Sequence, residues 1–241
     1  MNNATLVPFK PEKIQDYEIG LKTQFEAGDV RFRFNAAGFY ADYEDIQRSV
    51  ATIVNGVPAT SVFNAAAATI KGGEATFTVE PVEGLTLSAN ASYVDFKVKR
   101  FDDVVSNSLT TPATPVPVSV RDLTFPVSKW QYGINASYNR ELSNFGELNM
   151  VFNYKWRGKS TGGLSFPFID AEGLIPAYGT ADASMRISDI AETPIFVGVF
   201  VENAFDKTAL AGGLSIQRTF GLSTANYIAP RMYGLEIGAK F

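Results

Sequence analysis

The chain has 241 residues, 21 Lys+Arg against 25 Asp+Glu for a formal net charge of −4, no Cys and no His. Without cysteine there is no disulfide framework or thiolate metal site, and without histidine the commonest general base and metal ligand is missing; most familiar hydrolase and metalloenzyme mechanisms are excluded. Lys and Arg are scattered singly along the chain, so the basic stripe that a phosphate backbone demands is absent and nucleic acid is not an expected partner.

Charged residues make up 19%, below the roughly 25% usual in soluble domains. The longest apolar run, Ile195 to Val201, is interrupted by a glycine and falls far short of the roughly 18 residues of a membrane helix. Met1 to Pro8 has neither a basic nor an apolar region and is read as carrying no signal peptide.

From one end to the other the pattern alternates. In Tyr17 to Phe25 one face reads Tyr, Ile, Leu, Thr, Phe and the other Glu, Gly, Lys, Gln, a period of two. The same holds for Leu85 to Tyr93, Trp130 to Asn139, Leu148 to Trp156 and Tyr233 to Phe241. About nine strands of about 10 to 20 residues are predicted, near 12–25, 30–49, 64–80, 85–98, 128–141, 147–158, 178–188, 194–204 and 230–241. Their connections alternate: four are tight (26–29, 81–84, 142–146 and 189–193) and four are long (50–63, 99–127, 159–177 and 205–229). Short turns at one end and long loops at the other are the layout of an up-and-down meander across a membrane. The polar face is mostly Ser, Thr, Asn, Gln and Gly rather than Lys and Glu, and aromatics such as Tyr17, Phe25, Trp130, Tyr138, Tyr154 and Trp156 collect near strand ends. A soluble β-sandwich is the competing reading.

Specific words then appear. Pro11-Glu12-Lys13 before Tyr17-Glu18-Ile19-Gly20-Leu21-Lys22, and Asn35 through Gln47, closely resemble the barrel of TonB-dependent outer-membrane receptors. Gly72-Gly73-Glu74 with Pro81, Gly84, Leu85 and Thr86, then Glu202-Asn203-Ala204-Phe205-Asp206-Lys207, then Ala229-Pro230-Arg231-Met232-Tyr233-Gly234 with Phe241, resemble further words of that family in its order. At Ala204 the family usually has Leu.

The resemblance implies an all-β, antiparallel, transmembrane β-barrel segment: about nine strands, over one region 1–241, of a 22-stranded barrel plugged by a separate N-terminal domain. It implies residence in the outer membrane of a Gram-negative bacterium and active transport of a scarce nutrient such as an iron-siderophore. The expected partners are outer-membrane lipid, the N-terminal plug and remaining barrel strands, TonB acting through that plug, and the barrel-assembly machinery. The chain is thus read as a fragment or truncated reading frame, with no enzyme activity and no cofactor. A small stand-alone structural or adhesin-like barrel and a carbohydrate-binding sandwich are the alternatives.

Glu18, Glu74, Glu202 and Glu236 lie on the polar side of their strands and are candidates for contact with the plug; equally open, they are solvated lumen carboxylates or cross-strand partners of Lys22, Lys155 and Lys240. Arg121, Arg218, Phe220 and Tyr227 in the long loops are candidate ligand contacts, and Arg231 is read as a structural pair of a neighbouring strand. Tyr233, Leu235, Ile237 and the terminal Phe241 resemble the signal read by the assembly machinery. Asp45, Asp95, Asp102 and Asp103 lack the spacing of a hard-ion loop, so no metal site is assigned.

Overall fold

The computed structural model describes residues 9–54, 57–101, 105–107, 114–116, 127–161, 174–215 and 223–239. In chain order the strands are β1 (Lys13–Ala27), β2 (Val30–Val54), β3 (Val57–Val82), β4 (Leu85–Phe101), β5 (Val105–Asn107), β6 (Thr114–Val116), β7 (Trp130–Glu141), β8 (Glu147–Arg157), β9 (Ser160–Thr161), β10 (Leu174–Ile175), β11 (Tyr178–Ser188), β12 (Ile195–Glu202), β13 (Leu210–Ser215), β14 (Ser223–Tyr227) and β15 (Met232–Ala239). Nine of them form one antiparallel sheet in the order β1-β2-β3-β4-β7-β8-β11-β12-β15. Each strand of that sheet pairs with its neighbours in sequence, so the topology is a meander without crossovers. The other six form two-stranded ribbons, β5–β6, β9–β10 and β13–β14, within the long connections.

Both ends of the strands follow from local chemistry. At one end lie turns over Gly28-Asp29 and Glu83-Gly84 and short 3-10 turns over Ser143–Phe145 and Ile190–Glu192. Gly84 has φ +80°, and a Cβ there would stand 2.0 Å from the Asn139 carbonyl oxygen; the Asn139 N–H donates to the Gly84 carbonyl at 2.9 Å. Only glycine meets both conditions. At the other end one expectation fails: 50–63 is not a loop. The β2–β3 ladder runs on from Gln47↔Asn64 to Val54↔Val57, where Val50, Thr52, Ile53 and Val54 on one strand and Val57, Thr60 and Val62 on the other favour extended backbone. A bulge at Tyr43/Ile46, with Asp45 at φ +54°, interrupts this ladder.

The register gathers the main apolar rows on one face. Tyr17, Ile19, Leu21 and Phe25 stand opposite Tyr40, Gly38, Ala36 and Phe32. The same face continues through Phe77, Ala75 and Gly73, Leu87, Ala89 and Ala91, Ile134 and Tyr132, Phe152 and Tyr154, Met185 and Ala183, Val199, and Leu235 and Ile237. None of this face is covered: Ile19 is 81% exposed and Tyr233 80%. The buried apolar residues among those described are Ala41, Ile46, Ala66, Ala68, Ile175 and Ala181, and no large side chain is fully buried. A soluble sandwich would bury this face against a second sheet. Among the described residues no second layer packs on this sheet, which speaks against the sandwich alternative; the solvent that matches such a face is hydrocarbon.

Aromatic pairs mark both borders of the apolar band. Phe25 and Phe32 stack at 5.0 Å with Phe77 at 6.1 Å from Phe32, on the tight-turn side. Tyr93 with Trp130 (4.7 Å) and Tyr132 with Trp156 (4.8 Å, stacked) lie on the long-loop side. The segment 32–40 between the borders matches the roughly 9–11 residues with which a tilted strand crosses a bilayer. The sheet does not close: β1 and β15 are its edges, and all of β1 is exposed.

Candidate functional site

The opposite face of the sheet carries most of the polar rows, with Phe39, Val151, Phe196 and Phe200 interspersed among them. Lys22 and Asn35 stand in register, as do Thr76 with Asn90, Ser88 with Asn135, and Asn135 with Asn153. Asn135 Nδ2 donates to Asn153 Oδ1 at 2.8 Å, and Asn149 to Asn139 two rows nearer the tight turns. These uncharged amide and hydroxyl rows follow from the period of two: a shift of one residue would place all of them on the apolar face.

All four singled-out glutamates are on this polar face. Glu18 faces Phe39 across β1–β2, and Glu74 stands between Ala37 and Ser92. Glu202 and Glu236 lie together further along, lining with Asn153 and Asp182 one shallow hollow of about 240 Å³. Glu236 accepts a hydrogen bond from Arg186, whose guanidinium also lies 4.7 Å over the Phe196 ring. Arg186 therefore takes the partner role that the sequence reading left to Lys22, Lys155 or Lys240. Glu18, Glu74 and Glu202 have no ion-pair partner among the described residues. Because Arg186 and Glu236 are both half-exposed, Glu236→Gln is expected to cost less than about 1 kcal/mol of stability, read as a small change in the thermal midpoint.

Of the loop candidates, only Tyr227 lies among the described residues. Tyr227 ends β14, exposed and opposite Leu210; Arg121, Arg218 and Phe220 lie outside the described residues, as does Phe241. Tyr233, Leu235 and Ile237 form the outer row of β15, opposite Val201, Val199 and Val197. Arg231 pairs with Asp206 at 3.8 Å, a contact within the connection between β12 and β15.

Sequence reasoning missed a polar latch in that connection. Asn203, buried and at φ +48°, donates through Nδ2 to the carbonyls of Lys207 (2.9 Å) and Ala229 (3.0 Å) and accepts from the Lys207 N–H (2.9 Å). Its own N–H donates to Asp182 Oδ1 at 2.8 Å. One side chain thus ties the exit of β12 to the entry of β15. The signal was an Asn at a strand end before a turn, a residue that tolerates left-handed backbone. Asn203→Ala is expected to destabilise by about 1–3 kcal/mol, since two carbonyls and one N–H lose their partner in a single side chain; denaturant titration of the folded barrel checks it.

Beyond the Tyr93–Trp130 row, outside the apolar band, the outward face turns charged, with Tyr40 in register with Lys71 and Asp95. Lys99 bonds to Asp42. Asp95, only 4% exposed, accepts from Lys129 at 2.6 Å and lies 3.6 Å from Lys97; Lys71 stands directly opposite it. The Lys99 hydrogen bond holds the Asp42 carboxyl below its ordinary range, and the Lys129 hydrogen bond does the same for Asp95. The reciprocal bonds push both lysines up. Carboxylates with lowered values stabilise the fold above their ordinary range and lose that contribution as pH falls through the lowered value, so this collar stays assembled at neutral pH.

No curated protein sequence matches the chain. Among solved structures it is similar to the ferric yersiniabactin uptake receptor FyuA of Yersinia pestis (20% identity, TM-score 0.64, 95% of this chain and 30% of that one). It is similar also to the siderophore receptor PiuA of Acinetobacter baumannii (17%, 0.67, 98% and 29%) and to the ferripyoverdine receptor of the Pseudomonas aeruginosa outer membrane (19%, 0.59, 94% and 27%). At these identities the likeness establishes the fold, and the chain spans about 30% of the length of the first of these neighbours. Residues 2–195 match the family described as TonB dependent receptor-like, beta-barrel. The chain therefore belongs to the TonB-dependent receptor β-barrel family, a family of Gram-negative outer-membrane receptors rather than enzymes.

Proposed function

We propose that this chain is the C-terminal barrel wall of a receptor that imports an iron-siderophore or a similarly scarce nutrient with force supplied through TonB. The family match over 2–195 carries the reading. The siderophore receptors among the structural neighbours support the ligand class, and the open edges of the nine-stranded sheet support a larger barrel over a self-sufficient small one. In this reading the tight turns are periplasmic and the long connections extracellular. The polar face is the lumen, where Glu18, Glu74, Glu202 and Glu236 meet the plug. Arg121, Arg218, Phe220 and Tyr227 contribute ligand contacts from outside, while Tyr233, Leu235, Ile237 and Phe241 form the terminal assembly signal.

The mechanism follows from the wall's chemistry. Ligand captured by the outer loops would stay in the vestibule until TonB rearranges the plug. Carboxylates without fixed cation partners on the wall can accept hydrogen bonds from the plug in the closed state and from water once it moves, which keeps the cost of release low. The test is iron-55 uptake by the full-length receptor containing this sequence in a receptor-deletion strain, supplied with ferric catecholate, hydroxamate and phenolate siderophores in turn. Uptake of at least one, lost when TonB is deleted, is expected. No uptake of any, or uptake that persists without TonB, would overturn the assignment. In the same strain Phe241→Ala should lower the amount of receptor recovered in the outer membrane without changing uptake per receptor.

A further inference from the structure

Two stretches that lie thirty residues apart in the sequence, Pro11-Glu12-Lys13 ahead of β1 and Tyr43 to Gln47 within β2, meet in space. The β1–β2 ladder stops at Lys13↔Glu44, and Pro11 has no N–H with which to continue it. The chain before β1 crosses β2 toward β3 instead. Glu12 accepts at both carboxylate oxygens, from the Gln47 N–H at Oε1 (2.7 Å) and from the Tyr43 hydroxyl at Oε2 (2.8 Å). Asn64 of β3 brackets Lys10: its Oδ1 accepts from the Lys10 N–H at 2.6 Å, and its Nδ2 donates to the Lys10 carbonyl at 2.8 Å. Gln47 Nε2 donates to the same carbonyl at 3.0 Å. Residues 10–12 thus form a strap tied to two strands that β1 itself does not reach at this height.

The seat of the strap is firm. Ile46, Ala66 and Ala68 are buried there, with Tyr43, Phe96 and Phe101 packed against them, and Asn64 Nδ2 also donates to the Asp45 carbonyl at the bulge (2.6 Å). The strap itself is lightly held: Phe9 is 54% exposed, and Lys10, Pro11 and Glu12 are exposed. Hydrogen bonds within reach of water each contribute modestly, so one or two substitutions suffice to free it while β1 stays paired. Its position is what matters. β4 follows β3 no further than Phe101↔Ala66, and beyond Ile46 the β2–β3 pair runs on to Val54↔Val57. Among the described residues this stretch has no strand on either flank; it is a two-stranded ribbon of roughly 25 Å at 3.3 Å per residue. Such a ribbon has little stability of its own in water, and the strap grips its base. By register Tyr43 shares the face of Phe39 and Ala41, so the grip is on the polar side of the wall, at the long-connection end.

We propose that Glu12, Gln47 and Asn64 form a latch that positions the β2–β3 ribbon for ligand capture. With the latch closed, the connection entering β1 and the ribbon are one body, and an arriving ligand meets outer elements that are already ordered. Less conformational entropy is then lost on capture. The three are positioning residues, and none needs to touch the ligand. The role in capture rests on the proposed receptor function, whereas the latch rests on contacts within this chain alone.

The test uses the full-length receptor containing this sequence and two readouts. In detergent without ligand, E12A/N64A should speed amide exchange over 44–64 by about tenfold and leave β7 and β8 unchanged. E12Q should behave as wild type, because its carbonyl oxygen still accepts from the Gln47 N–H and its amide can donate to the Tyr43 hydroxyl. In cells, uptake is measured with whichever of the ferric catecholate, hydroxamate and phenolate siderophores wild type imports. The half-saturating concentration should rise about tenfold in E12A/N64A with the maximal rate per receptor unchanged, and E12Q should restore it. Folding is checked by unheated electrophoretic mobility; if the double variant does not fold, N64D, which loses the donor to the Lys10 carbonyl, is read in its place. Unchanged exchange would show that there is no latch. Faster exchange with an unchanged half-saturating concentration, or a loss confined to the maximal rate, would overturn the positioning role. Import of none of the three would remove the receptor function and the role in capture together, while the exchange result would still decide the latch.

Discussion

Replacing Ile134 by Arg in the full-length receptor is expected to cost about 2–4 kcal/mol of folding stability, whereas Asn90→Arg costs less than about 1 kcal/mol. Ile134 stands mid-strand on the outward face between Ala89 and Tyr154, four residues from both Trp130 and Tyr138 on its own strand. An arginine there must be held in hydrocarbon or drag water inward. Asn90 belongs to the opposite face, in register with Thr76 and Gly133, and is exposed, so a cation there meets water and polar neighbours. Urea titration of the receptor in phospholipid vesicles measures both. Equal losses at the two positions would mean that the faces are assigned wrongly.

The second large effect concerns the edges. Expressed alone, residues 1–241 should not yield a monodisperse monomer in detergent, because β1 and β15 each present a row of N–H and C=O groups without partners. In water such edges recruit other chains; in hydrocarbon each unsatisfied group costs several kcal/mol. Association through β1 or β15, seen as a broad high-mass distribution by light scattering, is the expected result. A stable monomer with both edge strands protected from amide exchange would show that nine strands close on their own.

Much of this architecture is legible from local pattern. The nine strands, their order, the tight turns and the two faces all follow from a period of two and from glycine placement, since both are encoded within a few residues of each other. The β2–β3 ladder past Ser49 was misread because Asn55, Gly56, Pro58 and Ser61 look like loop residues when taken singly. Pairings that depend on register were out of reach. Arg186 and Glu236 are far apart in sequence and meet only because β12, lying between their strands, puts Gly198 in register with both. The absence of a side chain at Gly198 lets the pair reach across, and Phe196 supplies the ring beneath the guanidinium. The lysine collar was invisible for the same reason, because Lys71, Lys97 and Lys129 converge on Asp95 from three separate strands or strand ends. The four glutamates share one face of the sheet by register, and contact with a plug is part of the proposal.

The absence of cysteine makes the two-faced wall directly measurable. Single cysteines introduced into the full-length receptor at Ile19, Ile134 and Leu235 on one face, and at Glu18, Asn90 and Glu236 on the other, carry a fluorophore into vesicles whose lipids bear nitroxide quenchers on their acyl chains. Strong quenching at the first three and weak quenching at the last three is the pattern that a lipid-facing apolar surface and a polar lumen produce; quenching that is uniform or reversed between the sets would contradict it.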